Sequence, residues 1–226
     1  MVCPRGTEKS QSGDEGGLRL SGHLRRVLPR PHDRGMGHAP DSLSLQGKLL
    51  IAMPGMGDPR FEKSVVFMCA HSSGEAMGLI VNKPAGGLQF HDLLEQLKIA
   101  PEPDCRDFRV RFGGPVEHGR GFVLHSADYT SNTSTLPIDD RFGMTATLDV
   151  LEDMARGLGP AQAMLMLGYA GWGPGQLERE IAQNGWLTAE ASAELVFSED
   201  DGSKWARALA TLGIDPLLLS ASAGHA

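Results

Sequence analysis

From Leu45 onward the apolar residues come in short unbroken runs: LLIAM (49–53), SVVFMC (64–69), MGLIV (77–81) and AMLML (163–167), each bounded by Gly, Pro or Asn. Runs of this length are too short for buried helices and lack the polar partners of a half-solvated strand. They therefore predict central strands covered on both faces. RVRF (109–112) instead alternates, and GFVLH (121–125) follows it after GGPVEHGR. That spacing predicts two antiparallel neighbours with one partly solvated face.

Helical periodicity fills the intervals. Residues 88–97 carry Leu88, Phe90, Leu93, Leu94 and Leu97 on one stripe. Residues 147–156 open on a Thr cap with Asp149 in the first turn and stop at Gly157. Residues 174–184 begin at Pro174, carry Glu178 and Glu180 toward the positive end of the helix dipole and close at Gly185. Residues 203–212 end at Gly213, with Trp205, Leu209 and Leu212 as their apolar stripe. Strands and helices mingle without strict βαβ alternation or internal repeat. The pattern predicts an α/β fold of mixed α+β character: a large mixed sheet with helices on both faces and, at most, a small appended subdomain.

Charge divides the chain at about residue 43. Residues 1–43 hold seven Lys/Arg and five Asp/Glu, a net of +2, whereas the whole chain of 226 residues carries −7, so residues 44–226 carry −9. The first segment sets Arg19, Arg25, Arg26, Arg30 and Arg34 among Gly, Ser and Pro, with few large apolar residues to offset ordering entropy, and reads as a disordered basic extension. Met36 is an alternative natural start. The acidic globular part, 44–226, repels a phosphate backbone, so direct nucleic-acid binding by the body is not expected. No window approaches ~18 consecutive apolar residues and the N-terminus lacks a signal-peptide core, so neither membrane insertion nor export is expected. Cys3, Cys69 and Cys105 are odd in number and far apart, which suits a reducing cytoplasm.

Candidate chemistry gathers at strand ends. GYAGWGPGQLERE (168–180) has the strand, loop and helix order of an anion site, with Gly171, Trp172, Gly173, Gly175 and Gln176 at its centre. It lacks a GxGxxG and the Lys and Ser/Thr of a P-loop, and a structural corner wedged by Trp172 is the competing reading. Asn82 and Lys83 follow one buried strand, Gly113, Gly114 and Arg120 lie between two others, and Lys83 and Arg120 are the cations such a corner would need. His125, Ser126 and Asp128 have the residue types of a hydrolase triad without a GxSxG elbow. Cys69 and His71 share a strand face but lack a third ligand, so no metal and no cofactor are expected. His91 and Asp92 read as capping, and Glu199, Asp200 and Asp201 as a solvated turn.

Five ordered stretches, LIAMPGMGDPRFEKSVVFMCAH (50–71), MGLIVNKP (77–84), FGGPVEHGRGFVLHS (112–126), LGYAGWGPGQLEREIAQNGWL (167–187) and AGHA (223–226), resemble the YqgE/AlgH family of bacterial proteins. The resemblance implies a mixed α/β fold with a large sheet and a smaller appended part. It implies no catalytic residue set and no cofactor. One branch is named for regulation of alginate synthesis, so a regulatory role, transcriptional control included, is the inherited expectation, although no helix-turn-helix is present. Two functions remain open. One is a cytoplasmic, non-enzymatic protein binding an unknown protein or small-molecule ligand through the strand-end loops. The other is an enzyme acting on a small anionic metabolite held by residues 171–176.

Overall fold

Among residues 44–131 and 134–219, which the computed structural model describes, the apolar runs form strands. β1 (Lys48–Ala52), β2 (Val65–His71) and β3 (Ala76–Ile80) make an antiparallel meander. Both of its faces are buried: Leu49, Phe67 and Leu79 point one way, and Leu50, Val66 and Ile80 the other. The β2–β3 turn is closed by Ser72, whose hydroxyl accepts from the Gly74 and Glu75 amides. Further strands are β4 (Pro84–Gln89), β5 (Arg109–Phe112), β6 (Val116–Ser126), β7 (Thr135–Pro137), β8 (Phe142–Thr145), β9 (Ala163–Trp172) and β10 (Trp186–Glu190). One curled sheet runs β10-β1-β2-β3-β9-β6-β8-β7, and β5 joins β9 while β4 joins β5. Only the β5–β9 pair is parallel.

The curl encloses an inner core in which the Phe67 and Phe142 rings sit 4.7 Å apart. α4 (Ala193–Val196) and α5 (Lys204–Ala210) cover it with Leu195, Val196, Trp205 and Leu209. The outer face is covered twice. α3 (Gln176–Ala182) lays Leu177 and Ile181 against Leu50, Val66 and Trp172. α1 (Phe90–Leu97) and α2 (Leu148–Ala155) lay Phe90, Leu94, Val150 and Leu151 against Val110, Val123 and Leu165. Each fully buried large apolar side chain contributes about 1.5–3 kcal/mol, so this two-faced burial is the main stabilising term. The sheet's two ends are clasped by side chains. Arg141 of the β7–β8 end donates to the Ala191 carbonyl just past β10 at 2.5 Å, and Gln46 beside β1 donates to the Ile138 carbonyl at 2.9 Å.

RVRF and GFVLH are not paired neighbours, because β9 lies between them. β5 runs along one edge of β9 and β6 along the other, so the chain between them must cross β9. It does so at Gly113 and Gly114. The Gly113 amide donates to the Leu167 carbonyl at 2.8 Å. A Cβ on Gly113 would lie 2.3 Å from the Gly168 carbonyl oxygen, and one on Gly114 would lie 2.1 Å from the Tyr169 carbonyl carbon. Gly168 sits under the crossing at φ +72°, and the alternation of β9 changes there: Met164 and Met166 face the inner core, but so does Tyr169, while Ala170 and Trp172 turn outward. GGPVEHGR is therefore a crossing followed by the bulged start of β6, not a simple turn.

Other boundaries move for local reasons. β9 continues to Trp172, so the loop within 168–180 is only 173–175, and α3 starts at Gln176 behind Gly175 at φ +65° instead of at Pro174. Leu88 belongs to β4, whose pairing with β5 competes with the helical stripe; α1 starts at Phe90, boxed by the Asp92 carboxylate accepting from the Gln89 amide. Thr147 directs its hydroxyl to Asp149 instead of to a backbone amide. Arg111, expected on a solvated face, is fully buried because Asp201 at 2.9 Å and Glu199 at 3.0 Å pair with it. Asp201 is thereby buried too, so of the expected solvated turn Glu199 and Asp200 are exposed, Asp200 accepting from Ser203, and Asp201 is not. Lys204 completes this cluster, donating to the Val81 and Val196 carbonyls at 2.7 and 2.9 Å, and burial followed by the nearby Arg111 charge pushes its ammonium down to about 8. Residues 1–43, with the basic extension and Met36, and the AGHA stretch lie outside the described residues.

Gly114→Ala is expected to cost more than about 4 kcal/mol or abolish folding, since backbone cannot move aside. Gly74→Ala, whose Cβ would meet nothing nearer than 3.8 Å, is expected to be near neutral. Urea unfolding of the two variants compares them.

Candidate functional site

Past Trp172 the chain turns through Gly173-Pro174-Gly175 into α3, and the turn satisfies itself: the Gly173 amide donates to the Gln176 side-chain oxygen at 3.1 Å and the Gln176 amide to the Gly173 carbonyl at 3.0 Å. Glu178 meets the helix dipole; its own backbone amide, with His71 assisting, holds its carboxyl below the ordinary range. Glu180 does something else. Its Oε2 accepts from the Trp172 indole at 2.9 Å and the Trp186 indole at 2.8 Å, and its Oε1 from the Gln176 amide at 2.9 Å. One carboxylate thus orients both indoles, whose ring centroids are 5.9 Å apart in an edge contact. Phe61 completes the cluster at 5.5 Å from Trp186 and 6.5 Å from Trp172.

The loop after β1 brings Phe61 there. Asp58 caps the 3-10 turn Pro59–Phe61 and grips Arg60, its carboxylate 2.6 Å from Nη2, and that guanidinium holds the Asp58 carboxyl below its usual range. The Met53 amide donates to the Gly185 carbonyl at 3.0 Å, tying the loop to the start of β10. Between loop 54–61 and the α3–β10 turn opens a cleft of about 520 Å³. Trp172 and Trp186 floor it, Pro115 and Val116 form a far wall, and Arg60, Gln176, Gln183 and Asn184 ring it.

A family model for AlgH-like proteins matches residues 49–217. The chain belongs to the AlgH-like family. The UPF0301 protein of Ruegeria pomeroyi is 63% identical over 186 residues, 81% of this chain and 100% of the relative. The UPF0301 protein of Cereibacter sphaeroides is 60% identical over 184 residues, again 81% of this chain and 100% of the relative. Among solved structures, the solution structure of the AlgH protein from Pseudomonas aeruginosa aligns with a TM-score of 0.68 at 40% identity, over 84% of this chain and 100% of that one. A Corynebacterium diphtheriae protein at 19% identity and a TM-score of 0.57, over 76% of this chain and 87% of its own, shares the fold alone.

In this AlgH-like chain the candidate residues separate into several places. Gly171, Trp172 and Gln176 line the cleft, and Gly173 and Gly175 shape the turn at its rim. Asn82 and Lys83 do not line it. Asn82 accepts from the Val65 amide and donates to the Lys63 carbonyl, each at 2.8 Å, and Lys83 donates to the Arg60 carbonyl at 2.6 Å, bracing the loop from behind. Gly113 and Gly114 serve the crossing. Arg120 pairs with Glu117 at 3.0 Å beyond the far wall. His125 lies elsewhere, fully buried: Nδ1 donates to the Ser126 carbonyl at 2.9 Å, so Nε2 accepts from the Thr145 hydroxyl at 3.0 Å. Ser126 is spent on Asp128 and the Gln162 backbone. His71 accepts from the Leu45 amide and pairs with Glu178, Cys69 is buried, and no group of three metal ligands occurs among the described residues.

Residues 54–58, Arg60, Phe61 and residues 183–186 line the cleft without having been singled out. Their signal was present in the Asp-Pro cap and in Pro and Gly spaced through a loop between two fully buried strands.

Burial holds the His125 imidazole below its ordinary 6.5. The unfolded chain therefore binds the proton first, and stability conferred by neutral His125 is present above 6.5 and declines as pH falls through that value toward the lower folded pKa. Thermal melts from pH 8 to 5 are expected to show this decline, and His125→Gln to flatten it.

Proposed function

We propose that the chain is a cytoplasmic, non-enzymatic binding protein with a regulatory role, and that its ligand, a small molecule or a short segment of a partner protein, occupies the cleft between loop 54–61 and the α3–β10 turn. One observation carries this reading. The cleft combines aromatic and glycine-lined walls with polar groups already engaged: Glu180 by three donors, Asp58 and Arg60 by each other. Among the described residues its lining includes no His, Cys, Ser, Thr, Tyr or Lys, and its two carboxylates, the side chains there that could act as a general base, are engaged: Asp58 by Arg60, and Glu180 by two indoles and an amide. What the cleft offers is shape, ring edges and the amides of Gln183 and Asn184, a combination suited to holding an uncharged or mixed-polarity group. The alternative, turnover of an anionic metabolite at residues 171–176, needs cations; among the described residues the cation lining the cleft, Arg60, is paired with Asp58, and Arg179 lies beside Gly175 outside that lining.

Family relationship adds the surname of a regulator, AlgH, without supplying its ligand. Among the described residues no helix is long and apolar enough to cross a membrane.

Trp172 and Trp186 are internal reporters. A metabolite and peptide screen read by tryptophan emission and thermal shift is expected to return a ligand that changes both. Gly57→Phe, at a position with open space around its missing Cβ, is expected to weaken binding of that ligand at least about tenfold while leaving unfolding stability within about 0.5 kcal/mol of the wild type. A ligand that binds the variant equally well, or one that is chemically converted, removes this reading.

A further inference from the structure

Arg120 presents a second feature, independent of the cleft. Its side chain is nine-tenths buried, yet Nε and Nη2 have no hydrogen-bond partner. Those two atoms form the side-on edge of the guanidinium, the edge that receives both oxygens of a carboxylate in a bidentate pair. Nη1 is committed to Glu117 at 3.0 Å, and the guanidinium carbon lies 5.2 Å from the Phe122 ring centroid. The group is thus fixed in place from one side and over one face, with its fork unused. Buried donors left unmade cost about 1–3 kcal/mol each and are uncommon in native proteins, which marks the pair as poised for an acceptor. Residues 117–119, which precede it in β6, are exposed, while the two fork nitrogens themselves are buried.

We propose that the side-on edge of Arg120 is a binding subsite for a monocarboxylate. The surroundings select among anions. Glu117 is in contact with Arg120, and Glu117 and Glu75 both act on the nearby Tyr169 hydroxyl, so one cation stands among two carboxylates. A phosphate dianion meets more repulsion there than a singly charged acid does. The Phe122 and Tyr169 rings, 5.8 Å apart in an edge contact and both buried, make the surroundings of the guanidinium apolar, which strengthens a charge-assisted pair there.

The test uses the full chain, titrated with sodium acetate, sodium propionate and inorganic phosphate against sodium chloride at matched ionic strength. The carboxylates are expected to raise the melting temperature by about 2–4 °C near saturation, beyond any chloride effect. They are also expected to move one arginine Nε–H resonance, assigned by its disappearance in Arg120→Lys. Arg120→Lys keeps the charge and loses the fork, so it should show the chloride response only. Gly57→Phe should retain the full carboxylate response; its loss there would move the subsite to the cleft and defeat the assignment. An undiminished response in Arg120→Lys, a stronger response to phosphate, or an Nε–H resonance unmoved by acetate overturns the proposal. Should Arg120→Lys not fold, selective labelling of arginine in the wild-type chain and the unmoved or shifted resonance set still decides it.

Discussion

Two backbones pass within contact distance where Gly113 and Gly114 cross β9 at Gly168 and Tyr169, and the arrangement of the sheet depends on that passage. Because no side chain fits between them, β5 and β6 can lie on opposite edges of one strand. β9 then becomes the spine: β3 and β5 share one edge along its length and β6 holds the other. The left-handed backbone at Gly168 reverses which residues face inward, so Tyr169 joins the inner core and Trp172 is delivered to the outer face. Without that reversal Trp172 would point away from Glu180, and the cleft would lose half its floor.

The parts of the fold governed by local hydrophobic pattern were legible in the sequence. LLIAM, SVVFMC, MGLIV and AMLML are the doubly buried strands they were read to be, because a continuous apolar run has no other low-energy home in a short segment. The parts governed by distant partners were not legible. RVRF looked half-solvated because an arginine was assumed to face water; only the fold brings Asp201 and Glu199, about ninety positions later, against Arg111. GGPVEHGR looked like a hairpin connection because tight turns and close backbone crossings ask for the same residue, and the sequence does not distinguish them. Of the candidate site, Gly171, Trp172 and Gln176 were visible from their strand-to-helix context, whereas loop 54–61, whose charged residues Asp58 and Arg60 pair with each other, reaches the cleft only through its tie to the start of β10.

The two buried polar assemblies follow opposite rules. At the cleft one carboxylate accepts three neutral donors, and its role is orientational: it fixes two indoles by their polar handles and leaves their rings to line a wall. In the Arg111, Asp201, Glu199 and Lys204 cluster, charges compensate one another across β5, the end of β3 and the α4–α5 connection, with Lys204 also spending its protons on two carbonyls. Such a cluster specifies which segments meet more than it stabilises them, since desolvation offsets much of the attraction. It anchors the cap over the inner core, while at the cleft on the outer face the Glu180 charge is met by neutral donors alone.

The side-chain clasp between the ends of the sheet bears on self-association. An open curled sheet ends in strands whose outer backbone groups invite a second copy to add on. Here one terminal strand is only three residues long, and the other starts beside a packed tryptophan and finishes at an acid held by Lys48. Arg141 then spans the gap to Ala191. Strand-on-strand growth is thereby disfavoured at these two margins, which among the described residues leaves β4, paired on one side only with β5, as the sheet edge without such protection.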